Sequence, residues 1–149
     1  LIANNTILHT RNYGLRIGDC DLKACNRVTN TLIANNVVLQ KTGKLIHFNS
    51  YPEATVFFKN NLACIDDGAG GCAAESSRAS LGGGAKLDTQ LLTLNPQLTG
   101  HTPALTSPVV DSGTQELVVE GKTVVLDRDI NDNKRVLGAQ IDRGAVEVR

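Results

Sequence analysis

The sequence predicts an all-β fold, the last few coils of a parallel β-helix followed by a non-repetitive C-terminal β cap. Three observations lead there. Leu1-Ile2-Ala3-Asn4-Asn5-Thr6-Ile7-Leu8 returns as Leu32-Ile33-Ala34-Asn35-Asn36-Val37-Val38-Leu39, identical at six of eight positions at an offset of 31. A weaker copy, Phe57-Phe58-Lys59-Asn60-Asn61-Leu62-Ala63, follows at a further offset of 25. From Asn95 onward the repeat is gone, and Pro96, Pro103 and Pro108 punctuate the chain. Self-similarity at such periods, carried by short runs of Val, Ile, Leu and Thr, signals stacked repeats of strands.

Within the first coil, Leu1 to Ala3, Thr6 to Thr10 and Tyr13 to Ile17 read as short strands. Asn4-Asn5 and Arg11-Asn12 are the bends between them. Asp19 to Asn26 is an insertion bracketed by Cys20 and Cys25. The offset of 31 aligns Leu15 with Ile46, Arg16 with His47 and Ile17 with Phe48. Strand alternation then turns Leu15, Ile17, Ile46 and Phe48 inward, with Arg16 and His47 stacked outside, roughly 4.8 Å apart. A second coil spans residues 32–56 and a third begins near Val56. That third coil passes into the loop Asp66-Asp67-Gly68-Ala69-Gly70-Gly71-Cys72 and a polar stretch to Gly84, before a last strand over 87–94. Residues 1–94 are thus coils and 95–149 a capping segment, with a β-hairpin turning near Gly121 and a terminal strand from Asp142 to Val148.

Asn serves the corner twice over. It adopts left-handed φ more cheaply than other non-glycine residues. Stacked inward, it also bonds the Asn and backbone of the next coil. Asn4, Asn35 and Asn60 form such a ladder, or equally Asn5, Asn36 and Asn61. Asn4-Asn5-Thr6 is formally a glycosylation sequon, but a buried Asn4 has no room for a glycan. Leu1 lies inside a repeat, and a repeat buries its face only against neighbours. The partner expected first is therefore a preceding part of the same polypeptide.

Lys+Arg and Asp+Glu both number 15, so net charge is zero. No basic stripe in the sequence points to nucleic acid. The apolar runs are too short for a transmembrane helix. The four cysteines fall in two pairs, Cys20/Cys25 and Cys64/Cys72, each bracketing a polar excursion. Local disulfides fit these pairs better than zinc, because the spacings are poor for a ribbon and no His is adjacent. They imply an oxidising compartment.

Arg16, Lys44 and His47, with Tyr13 nearby, are the catalytic candidates, a base and cations of the kind that remove a proton α to a carboxylate. Asp127, Asp129 and Asn131 imitate the start of a calcium loop, so calcium is the one cofactor expected. The template fails at its sixth and twelfth positions, Asp132 and Gly138. Asp66 and Asp67 are further cation candidates. A turn whose Asp and Asn side chains bond their own backbone is the competing explanation for these loops.

Four ordered stretches carry a resemblance. They are Leu94-Asn95-Pro96-Gln97-Leu98, Thr106-Ser107-Pro108-Val109-Val110-Asp111-Ser112-Gly113, Asp129-Ile130-Asn131-Asp132-Asn133-Lys134-Arg135, and Gln140-Ile141-Asp142-Arg143-Gly144-Ala145-Val146-Glu147. Residues 94–148 resemble the C-terminal region of secreted bacterial right-handed β-helix proteins of the choice-of-anchor Q type, within the pectate-lyase-like superfamily. There a "DPLL", a "SPAIDAG", a "D-x-D-G-x-P-R" and a "DIGAFE" occur in this order. Asp132-Asn133-Lys134 departs from that pattern, and Arg143 stands in place of the common Ile. The resemblance implies a right-handed β-helix in an extracellular, bacterial, secreted or cell-surface setting, and no particular reaction. Three functions follow as expectations. The first is a non-catalytic scaffold, adhesion or assembly protein meeting polysaccharide or other surface proteins. The second is the end of a carbohydrate-active lyase or hydrolase, and the third is a calcium-dependent binding module.

Overall fold

The computed structural model describes residues 1–17, 30–48, 56–73, 80–81, 85–86 and 93–148. Every regular element among them is a strand. The first pass of the chain makes β1 (Ile2–Ala3), β2 (Thr6–Leu8) and β3 (Tyr13–Ile17). The second makes β4 (Thr31–Ala34), β5 (Val37–Gln40) and β6 (Lys44–Phe48). The third makes β7 (Val56–Lys59), β8 (Leu62–Ile65) and β9 (Ser80–Leu81), and β10 (Ala85–Lys86) follows. The chain visits three parallel sheets in rotation, β1-β4-β7-β10, β2-β5-β8 and β3-β6-β9.

The repeat sets the register. Ile2 pairs with Ile33, Thr6 with Val37 and Arg16 with His47, all at the offset of 31. Ile33 pairs with Phe58 and Val37 with Leu62, at the offset of 25. Between the sheets lies an apolar core that includes Ile33, Val38, Ile46, Phe58 and Ala63. Ile17 is buried and Leu15 packs against this core, whereas the side chain of Phe48 lies outside the described residues. Strict alternation fails beside Leu15. A β-carbon on Gly14 would sit 2.1 Å from Val38 Cγ1 and 2.6 Å from the Leu45 carbonyl oxygen, so this position faces the core and admits only glycine.

The paired asparagines divide the work. Asn4, Asn35 and Asn60 hold φ of 56°, 54° and 53° and turn the corner. The ladder runs through Asn5, Asn36 and Asn61, which corrects the alternative built on Asn4, Asn35 and Asn60. Asn36 Oδ1 accepts from the Asn5 backbone N–H at 3.0 Å and from Asn5 Nδ2 at 2.9 Å. Asn61 Oδ1 repeats both bonds from Asn36, at 3.1 and 2.9 Å. Asn36 Nδ2 and Asn61 Nδ2 also donate to the carbonyls of Ile2 and Ile33. A left-handed residue aims its side chain away from the corner's interior, so only its successor can join the column.

After residue 93 pairing becomes antiparallel. β11 (Leu98–Thr99) and β12 (Thr102–Pro103) form one hairpin. β13 (Glu116–Val119) and β14 (Lys122–Val125) form the hairpin expected at Gly121. Its turn has positive φ at both Glu120 and Gly121, the type I′ geometry that matches strand twist. This C-terminal segment lies along the flank of the stack. Leu117 joins Leu32 and Ala34 on the outside of the first sheet. Val109 joins Val37, Leu39, Leu62 and Cys64 on the outside of the second.

Residues 142–148 form no strand, contrary to expectation. Their amides go to side chains and to carbonyls elsewhere in the chain, where a strand would need a ladder partner. Arg143 donates to the Val109 carbonyl, Gly144 to the Asn35 carbonyl and Ala145 to Thr6 Oγ1. The segment therefore touches the first and second passes with adjacent residues. Gly144, at φ 95°, is the contact point, and a β-carbon there would lie 2.6 Å from Thr6 Oγ1.

Candidate functional site

Two clusters of functional side chains emerge, one on the third sheet and one inside the C-terminal segment. The first gathers the catalytic candidates. Tyr13 pairs with Lys44 and Arg16 with His47, placing all four on the outer face of β3 and β6. The rings of Tyr13 and His47, the latter three positions along β6 from Tyr13's partner Lys44, stack at 4.9 Å between centroids with planes 30° apart. Arg16 Cζ lies 5.0 Å from the centre of the Tyr13 ring, in cation–π range. Arg16 and Lys44 are exposed and Tyr13 is half-buried. Sequence register places Arg16 beside His47 and Tyr13 beside Lys44, and the break in alternation at Gly14 and Leu15 brings both pairs to one face. Chemically it offers a flat aromatic platform with cationic ends, suited to anionic or hydroxyl-rich ligands.

Among the strands, β6 reads Lys-Leu-Ile-His-Phe, with polar outward positions at Lys44 and His47. By contrast β4 and β5 are buried on both faces, with Leu32, Ala34, Val37 and Leu39 covered by the C-terminal segment. The apolar outward residues of β4 and β5 were the available sign that something covers those two sheets.

The second cluster was missed as a site, because its members read as motif residues or surface charges. Arg135 is 3% exposed and spends its guanidinium on the chain around it. Its Nε donates to the Arg128 carbonyl at 3.1 Å and its Nη1 to the Gly144 carbonyl at 2.8 Å. Nη1 also lies 3.8 Å from Glu147 Oε2. Asp142, 1% exposed, accepts from the Asp111 and Val148 amides, both at 2.8 Å. Burial nevertheless raises its carboxyl above the ordinary range. Burial likewise lifts Glu147 to about 7, against the Asp142 amide and the Arg135 charge that pull it down.

Arg143 ties this cluster to the stack. Its Nη1 donates to the Asn61 carbonyl and its Nε to the Ser112 carbonyl, both at 3.0 Å. Thr114 adds a second tie, exchanging bonds of 2.8 and 3.0 Å with the side chain of Asn35 while its Oγ1 accepts from Asn60 Nδ2. The corner asparagines thus grip the C-terminal segment. Asn4 is half-buried, with Oδ1 sealed from solvent and without a hydrogen-bond partner.

Of the calcium candidates, Asp129 has its carboxylate filled by protein donors. Oδ1 accepts from the amides of Asn131 and Asn133, each at 2.8 Å. Oδ2 accepts from the Glu147 amide at 3.2 Å and Asn133 Nδ2 at 3.3 Å. Burial pushes this carboxyl up, and those bonds more than reverse it, holding it below the usual range. This is the chemistry of a turn that bonds its own backbone. Asp127 and Asn131 lie at that turn.

Asp67 repeats the pattern on the surface. It accepts from the Ala69 and Gly71 amides at 2.8 and 2.9 Å, which lower its carboxyl. Asp66 takes the Gly68 amide at 2.9 Å. Among the described residues, no group of three or more His, Cys, Asp or Glu is placed to hold a metal.

Cys64 and Cys72 are bonded, closing the base of this loop. Cys20 and Cys25 lie outside the described residues. No helix among the described residues is long and apolar enough to cross a membrane. Comparison of the chain with protein-family models, with curated proteins and with solved structures finds no match.

Proposed function

We propose that the chain is part of an extracellular right-handed parallel β-helix of the choice-of-anchor Q type, a surface scaffold that meets its partners through the outer face of its third sheet. One observation carries this reading. The C-terminal segment covers Leu32, Ala34, Val37 and Leu39 on the outer faces of the first two sheets and leaves Phe57 and Lys59 of β7 exposed, while the third sheet carries Tyr13, Arg16, Lys44 and His47. Rotation of the chain through three parallel sheets and the Asn5-Asn36-Asn61 ladder support the helical winding.

Ile2, Ile7 and Leu15 are only half-buried, where their counterparts Ile33, Val38 and Ile46 are sealed. They line an open depression of about 690 Å³. The Cys64–Cys72 bond fits an oxidising compartment.

The test has two arms. Fractionation of producing cells, with protease shaving of intact ones, is expected to find the protein at the surface or in the medium. A cytosolic location overturns the proposal. Incubation with uronate polymers is expected to release no unsaturated product. Product formation that is lost in Arg16→Ala and His47→Ala favours the second reading, a carbohydrate-active lyase, which rests on the closeness of Arg16, Lys44 and His47.

A further inference from the structure

The buried ionisable side chains of the described molecule all lie in the C-terminal segment. They are Asp129, Arg135, Asp142, Arg143 and Glu147, each more than nine-tenths buried. Three are carboxylates and two are guanidinium groups. Arg143 turns away to the Ser112 and Asn61 carbonyls, leaving Arg135 to face all three carboxylates. Glu147 is the least satisfied. Its Oε2 accepts from the Asp142 amide at 3.0 Å, while its Oε1 is sealed from solvent with no partner in hydrogen-bond geometry among the described residues, the Leu137 amide nearby pulling the carboxyl down only weakly. A bare anionic oxygen in a dry interior costs several kcal/mol, roughly, and a neutral carboxyl group far less.

We propose that Glu147 is a protonation-controlled latch: neutral, it lets the 142–147 turn seal against the stack, and ionised, it loosens that turn and frees the C-terminal segment from the flank. Glu147 is well placed for this. Arg135, which faces it, also holds the Gly144 carbonyl, and the Gly144 and Ala145 amides dock on Asn35 and Thr6. A charge change at Glu147 is therefore one residue removed from the docking bonds.

Asp142, whose carboxyl burial also raises, adds to the pH response that Glu147 leads. Arg135 stays cationic, and Asp129 and Asp142 face Glu147 as anions or potential anions. From the neighbouring hairpin, His101 lines the depression beside Ala145 and Val146. Among the described residues the stack contributes Thr6, Asn35 and Asn61 to this docking, none of which titrates. Release would uncover Leu32, Ala34, Val37 and Leu39, the apolar outer faces of two sheets.

The direction follows from linkage. A carboxyl raised by folding stabilises the closed form fully below its ordinary value, and that stability is lost as pH rises through the raised value, about 7 here. With an open-state value of 4.5, the opening equilibrium should grow about 30-fold between roughly pH 5.5 and 8.5.

Hydrogen exchange of the full chain, expressed as protection of the Gly144 and Ala145 amides, reads this directly. Wild type should lose protection about 30-fold over that range, and Glu147→Gln should lose most of the dependence. A flat wild-type profile, or a Glu147→Gln variant with the full wild-type slope, overturns the latch. If that variant does not fold, the carboxyl carbon of Glu147 in wild type decides by its own titration. An inflection near about 7 supports the latch, and one near 4.5 overturns it.

Discussion

The stack and the C-terminal segment solve the same problem in opposite ways. Both bury backbone and side-chain polar groups that must find partners. The stack satisfies them with a neutral column, Asn5, Asn36 and Asn61, in which the same amide bonds recur between neighbouring passes. The C-terminal segment uses a singular charged network in which Arg135 serves the carbonyls of Arg128 and Gly144 and faces the carboxyl group of Glu147. A repeated neutral bond is insensitive to pH and extends to any number of passes. A charged network can neither repeat nor ignore pH. Repetition makes one region legible and extensible, and singularity makes the other specific and switchable.

The comparison breaks most sharply at Arg135. Arg135→Ala removes the cation from among three carboxylates and strands two carbonyls, so unfolding free energy should fall by about 3–5 kcal/mol. Urea denaturation measures it, and the loss should be accompanied by exchange of the Gly144 and Ala145 amides. In the stack the corresponding weak point is steric. Gly14→Val collides with Val38 and the Leu45 carbonyl, at a cost of roughly 2–3 kcal/mol.

Opening the Cys64–Cys72 bond by Cys72→Ser tests the border between the regions, since Cys64 packs beneath Val109. A loop this short should lose about 2 kcal/mol. The smallest effect belongs to the exposed face. Arg16→Ala should change stability by less than about 0.5 kcal/mol, by thermal or urea unfolding. A larger loss would make Arg16 a structural residue and weaken its place in the proposed recognition face.

Sequence reading reached the stack because its signals are local and repeated. The offset of 31 placed Arg16 beside His47 and Leu15 beside Ile46, as the register has them. The choice between the two asparagines of each pair stayed open because either can turn a corner. Only the backbone shows that Asn35 takes positive φ and Asn36 points in. The flank position of the C-terminal segment was hidden for another reason. Nothing in a non-repeating stretch says which face it covers, and the relevant sign sits elsewhere, in the apolar outward residues of β4 and β5. Arg135, Asp142 and Glu147 were unreadable as a core because charged residues read by default as surface.

The most direct measurement compares Asn35→Gly with Asn36→Gly by equilibrium unfolding. Glycine accepts the left-handed corner, so Asn35→Gly should lose only its bonds to Thr114, about 1–2 kcal/mol. Asn36→Gly empties the middle of the ladder and strands the Asn5 amide and the Ile2 carbonyl, for about 3–5 kcal/mol. Equal losses, or a larger loss at Asn35, would contradict the division of corner and ladder between the two asparagines.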